Sequence, residues 1–248
     1  MIAFGRRSTG EAMRRDLQLR DGHVGKKGEW MESGEDKLLS PTVFLIEQPP
    51  NATISAHFHH NNQFQVFVEG SGKIGPRALA PVTVHYAGAY TAYGPLVAGP
   101  EGLQYFTLRT VCERGAIVVA RSEGLWPAGP RRHATSKPVE VFDAAALGAL
   151  AEPATAIVLP TAEDGLAATT TALPPGSTMP PVEIGVGEGV FLVMLSGSVT
   201  LGGERLVERE SIYVSSDEPF PAIVAGDAGA QLLALVPPRR DETYPAFN

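Results

Sequence analysis

Three of the chain's six histidines fall within four residues of one another, in the stretch ISAHFHHNNQFQVFVEGSG from Ile54 to Gly72. His57 and His59 stand two apart, so on a strand their side chains share one face. Two imidazoles on the inner face of a barrel chelate one divalent ion of the borderline class: Fe, Mn, Ni, Zn or Cu. Gln63 follows His59 by four residues, at the start of the next apolar run, where a third ligand is wanted. The other reading of these residues is a wet pocket in which the imidazoles hydrogen-bond to their polar neighbours. His60 is out of phase and is expected to face outward or sit in the loop.

Strands must hold these residues, and the rest of the chain is built to supply them. Its 27 glycines and 21 prolines, with few long helical patterns, favour an all-β fold. At 248 residues there is room for one large β domain or two small ones. The net charge of −7 argues against nucleic acid as the main partner. A single cysteine, Cys112, rules out an internal disulfide and points to a reducing compartment. The N-terminus has no apolar targeting core and no stretch reaches transmembrane length, so a soluble, cytoplasmic protein is expected, with no membrane partner.

Short apolar runs bounded by turn residues predict strands over 42–47, 63–69, 82–86, 103–110 and 116–121. A Pro-, Gly- and Arg-rich segment follows, and then a short Ala/Leu helix with Asp143 as its N-cap. Strands resume over 156–159, 166–173, 190–196, 204–207, 211–214 and 231–236. The two halves repeat. EQPPNATIS answers to ALPPGSTMP, and FQVFVEGSGKIG to VFLVMLSGSVTLGG. The expected organisation is an N-terminal arm (1–40), a first barrel (41–121), a linker with the helix (122–152) and a second barrel (153–240).

These motifs resemble the cupin superfamily. Its first motif, G-x5-H-x-H-x3/4-E-x6-G, is similar to Asn51-x5-His57-x-His59-x3-Gln63-x6-Gly70, with Asn for the first Gly and Gln for Glu. Its second, G-x5-P-x-G-x2-H-x3-N, is similar to Gly94-x5-Pro100-x-Gly102-x2-Tyr105-x3-Arg109. In the second half, Val182, Ile184 and Val190 take the ligand positions of the first motif. RESIYVSSDEPF resembles the second motif and ends in Phe220 where the last histidine is usual. The resemblance implies two tandem double-stranded β-helix (jelly-roll) barrels, a bicupin, with the site in the first and a filled, metal-free second.

It also implies a ligand set. His57, His59, Gln63 and Tyr105 would hold the divalent metal. Arg109 shares the parity of Tyr105 and would recognise a carboxylate, or else pair with an acid. His85 faces inward if Tyr86 does not, and Gln65 has the parity of Gln63; both are candidate substrate contacts. The function implied is binding of a small, anionic organic molecule, with dioxygenase- or isomerase-like chemistry at the metal. The alternative is a binding or structural bicupin without metal. Cupin sheet edges are commonly covered by partner arms, so residues 1–40 are expected to cover an edge within the chain or across a homodimer.

Overall fold

The computed structural model describes residues 1–32, 40–112, 115–122 and 126–245. In chain order the first elements are β1 (Ile2–Gly5), α1 (Arg7–Ala12), β2 (Arg15–Gln18), β3 (Val24–Glu32), β4 (Thr42–Gln48), β5 (Thr53–Ile54) and β6 (His57–Phe58). Next come β7 (Gln63–Ile74), β8 (Arg77–Leu79), β9 (Thr83–Ala87), β10 (Leu96–Arg109), β11 (Ile117–Val118) and β12 (His133–Thr135). The remainder are α2 (Ala144–Gly148), β13 (Ala154–Leu159), β14 (Ala167–Leu173), β15 (Gly189–Leu201), β16 (Glu204–Val207), β17 (Ser211–Ser215) and β18 (Val224–Val236). No helix among the described residues is long and apolar enough to cross a membrane.

The chain divides into two compact units. One comprises Met1–Ser8 with Val139–Arg239, the other Thr9–Pro138 with the residues from Arg240 onward. The sheet of the histidine-bearing unit runs β12-β9-β7-β10-β4-β3-β2. The sheet of the other runs β1-β17-β15-β18-β14-β13. Five consecutive strands follow one path in both units, β9-β7-β10-β4-β3 and β17-β15-β18-β14-β13, so the sequence repeat is a repeat of topology.

Paired glycines mark the repeat most sharply. Gly70 (φ +76°) lies against the carbonyl of Gly102 (φ +84°), and Gly197 (φ +70°) against that of Gly229 (φ +77°). At each place the ladder shifts register, between Ala98 and Leu103 and between Gly197 and Val199. A side chain there would meet backbone in a region of φ that L-residues rarely adopt, and this keeps glycine at both bends.

The expected arm over 1–40 has no single place. β1 pairs with β17 in one unit, whereas β2 and β3 extend the other's sheet beyond β4; residues 33–39 lie outside the described residues. Two ion pairs join β2 to β3: Arg15 reaches Glu29 at 2.7 Å, and Lys26 pairs with Asp16. Within the segment expected to be a linker, β12 pairs with β9 and belongs to the first barrel. The capped helix is present, with Asp143 Oδ1 accepting the Ala146 N–H at 2.8 Å.

Candidate functional site

The first barrel holds an open cavity of about 420 Å³. His57 sits on β6, held by β11 through the Val118 pairing and by two backbone hydrogen bonds with Tyr93, of 3.1 and 3.0 Å. His59 follows, its carbonyl accepting the Tyr90 N–H at 2.6 Å. Gln63 and Gln65 open β7, and His85 lies opposite Gln65 on β9. Arg109 ends β10, opposite Thr42. His57, His59, Gln65, Tyr93, Tyr105, Thr107 and Arg109 line the cavity. His60 is exposed, as its phase predicts.

One hydrogen-bonded chain joins these groups. Arg109 donates to Gln63 Oε1 from Nε (3.1 Å) and from Nη2 (2.9 Å). Gln63 Nε2 donates to the Tyr93 hydroxyl at 2.6 Å. That hydroxyl lies 2.8 Å from His57 Nε2, and His57 Nδ1 lies 2.7 Å from the Ser55 carbonyl. The chemistry of the end groups sets the donor directions. A guanidinium only donates, so the amide must present oxygen to Arg109 and nitrogen to Tyr93. A carbonyl only accepts, so His57 Nδ1 carries the hydrogen, and in the neutral ring Nε2 is then the acceptor for the phenol proton. Arg109 Nη2 also lies 3.1 Å from Nδ1 and 3.2 Å from Nε2 of His59.

The phenol beside His57 and Gln63 therefore belongs to Tyr93, a residue absent from the expected set. Tyr105 reaches the cavity wall, but its ring packs on Phe67 with centroids 5.2 Å apart, and burial holds its phenol far above the ordinary value. That opposes a phenolate ligand there. The sequence did carry a signal for Tyr93. The register that puts Gly70 on Gly197 and Ala87 on Val214 also puts Tyr93 on Phe220.

The donor set does not fit a divalent cation. No group of three or more His, Cys, Asp or Glu side chains among the described residues is placed to hold one. The ring of His59 and the oxygen of Gln63 both face the guanidinium of Arg109. A dication about 6 Å from that guanidinium would be repelled by about 5 kcal/mol at an effective dielectric constant of about 20.

The cavity lining is basic instead. Arg15, Arg20, Lys27 and Arg109 line it, and no described Asp or Glu does. Glu29, outside the wall, pairs with Arg15 and Lys27 at 2.7 and 2.9 Å and leaves the lining basic. Lys27 Nζ lies 3.9 Å from the centre of the Phe44 ring and the Arg109 guanidinium carbon 5.4 Å from it. Leu17, Leu19, Ile46, Ile54 and Val118 give the rest of the wall an apolar character.

His85 is buried behind this wall, its ring 5.3 Å from that of Tyr93. Thr135 lies 2.8 Å from Nδ1, while Nε2 has no partner among the described residues. Burial, then His133 and Arg77, lowers its pKa to about 3 from 6.5. The folded form therefore binds no proton at His85 where the unfolded chain does. Its contribution to stability is complete above 6.5 and is lost as pH falls from there toward 3. The slope is at most about 1.4 kcal/mol per pH unit. The expected result is a shallower acid limb in thermal melts of His85→Gln than of wild type; parallel limbs would contradict it.

The second barrel offers no such site. Val182, Ile184 and Phe220 pack, partly buried, against a core that includes Val190, Leu192, Ile212, Leu232 and Val236. An isolated imidazole added to that apolar set gains no co-ligands. Phe220→His is expected to leave metal content and first-barrel anion binding at wild-type values, read by elemental analysis and calorimetry. A change in metal content would break the correspondence between the two halves.

No protein-family model and no curated protein matches the sequence. Solved structures do match in fold. A provisionally named dioxygenase from Nostoc punctiforme is 14% identical over the whole of this chain and 87% of its own, with a TM-score of 0.64. A provisionally named glyoxylate-induced protein from Pseudomonas aeruginosa is 12% identical over 100% of this chain and 91% of its own, at 0.60. The pirin YhhW of Escherichia coli, in complex with nickel(II), is 12% identical over 96% and 99%, at 0.56. At such identities the likeness is one of fold.

Proposed function

We propose that this chain, a two-barrel protein of the cupin fold, binds a small organic anion in its first barrel with Arg109 in the role a metal ion would otherwise play. The observation that carries the reading is a cavity lined by four basic side chains and no described acid, in a protein of net charge −7. A carboxylate suits the planar fork of a guanidinium. The neutral amide of Gln63 orients Arg109 without itself cancelling its charge, which a glutamate there would do. The apolar wall and the Phe44 ring favour a ligand with a hydrophobic body. His57, His59, Gln63 and Tyr105 do not make a metal site in this reading, because a guanidinium stands against His59 and Gln63 and burial opposes ionisation of Tyr105. Nickel is named with the Escherichia coli pirin, and that remains a property of that protein.

A thermal-shift comparison tests the reading with benzoate and benzamide, which share shape and differ in charge. Benzoate is expected to raise the melting temperature in a saturable, salt-sensitive manner, and benzamide to leave it unchanged. Equal shifts with both, or none with either, would refute an anion site.

A further inference from the structure

The chain of hydrogen bonds through the site runs from Arg109 through Gln63 and Tyr93 to His57 and the Ser55 carbonyl. We infer that Tyr93 and His57 form a general acid–base pair for metal-independent proton transfer at the carbon next to a bound carboxylate or its 2-oxo group. The inference rests on the anion-site reading above. Tyr93 lines the cavity and is bonded on both sides: its hydroxyl receives the Gln63 amide hydrogen at 2.6 Å and points its own hydrogen at His57 Nε2, 2.8 Å away. His57 is fixed in the accepting tautomer by the Ser55 carbonyl at 2.7 Å. Gln63 is in turn polarised by two bonds from Arg109, at 3.1 and 2.9 Å. This is the arrangement of a nucleophilic or basic hydroxyl with its own base and an orienting group behind it.

The step balances within the site. The substrate C–H bond breaks and its proton goes to the Tyr93 oxygen. The phenol's original proton passes to His57 Nε2, giving an imidazolium whose Nδ1–H stays on Ser55. The electron pair of the C–H bond becomes that of an enolate, whose negative charge faces the Arg109 guanidinium. Reversal, after exchange with solvent, returns a solvent hydrogen to the carbon. No oxidant or reductant is consumed.

The test uses the full chain, treated with chelator, and phenylpyruvate in D2O, with loss of the C3 proton signals followed by NMR. Wild type is expected to accelerate exchange about a hundredfold over buffer. Tyr93→Phe should lose at least about tenfold of this while its affinity for phenylpyruvate, read by calorimetry, stays near wild type. A structural role for Tyr93 would not separate rate from affinity in this way. If Tyr93→Phe does not fold, His57→Asn carries the same test, since its amide can still donate to Ser55 but cannot take the phenol proton. Binding of phenylpyruvate without accelerated exchange would overturn the acid–base pair and leave the anion site standing. Exchange at the wild-type rate in the folded variants would also overturn it. Absence of binding would overturn both.

Discussion

Replacing Arg109 by methionine is expected to weaken benzoate binding by about 2 to 4 kcal/mol, which is roughly 30- to 1000-fold. Arg109 is 4% exposed and lines the cavity, so a carboxylate meets a guanidinium that is largely shielded from bulk water, and a charged hydrogen bond there is strong. Methionine keeps the bulk and removes the charge. The effect on stability should be smaller and of mixed origin. Gln63 Oε1 loses both of its Arg109 donors, at 3.1 and 2.9 Å, costing about 1 to 3 kcal/mol. Removing a buried cation recovers part of that. Arg109→Lys is expected to fall between, since it keeps the charge and loses the two-pronged contact to Gln63. Calorimetric titration of the three proteins checks the order, and benzoate affinity in Arg109→Met equal to wild type would remove Arg109 from the site.

A second large effect is expected from turning the site toward metal. Wild type supplied with Ni(II), Mn(II) or Zn(II) should show no stoichiometric uptake. The double variant Gln63→Glu/Arg109→Asn removes the opposing guanidinium and adds a carboxylate beside His57 and His59. Lifting about 5 kcal/mol of repulsion corresponds to a gain of more than about a thousandfold in metal affinity. One supporting contact already exists. His57 donates Nδ1–H to the Ser55 carbonyl at 2.7 Å, which fixes the ring with Nε2 facing inward, as a ligating imidazole requires. Dialysis followed by elemental analysis reads the outcome. Tight uptake by wild type would contradict the misfit argued from Arg109.

Much of the fold was legible because its strands carry a strong apolar pattern. Thr42–Gln48 and Ser211–Ser215 are buried on both faces or nearly so, and the glycines of the two bends repeat in register. One or two short strands are expected in the N-terminal arm, but the bounds of β2 and β3 were not legible because their periodicity is one of charge. Asp16, Lys26, Arg15 and Glu29 pair across the ladder, and hydropathy does not register such pairing. β12 escaped because three residues in a Pro- and Arg-rich segment form a strand only when β9 is there to receive them.

The site divides in the same way. His57, His59 and Gln63 were placed by spacing, which is a local property of one strand and its turn. Which tyrosine meets them is a matter of how distant strands close the barrel. Reading the second motif from Gly94 led to Tyr105, on the strand beside β7. The parallel between VTVHYAGAYTAY and RESIYVSSDEPF leads to Tyr93, in the position of Phe220. The role of Arg109 was half visible. Its inward parity follows from the strand period, but its bond to Gln63 depends on the separation of β7 and β10 at one end of the barrel.

The most direct test of the account is a calorimetric titration of chelator-treated wild-type protein with benzoate. Saturable one-to-one binding is predicted, needing no added metal and weakening as ionic strength rises. Binding that appears only after a divalent ion is restored would contradict it.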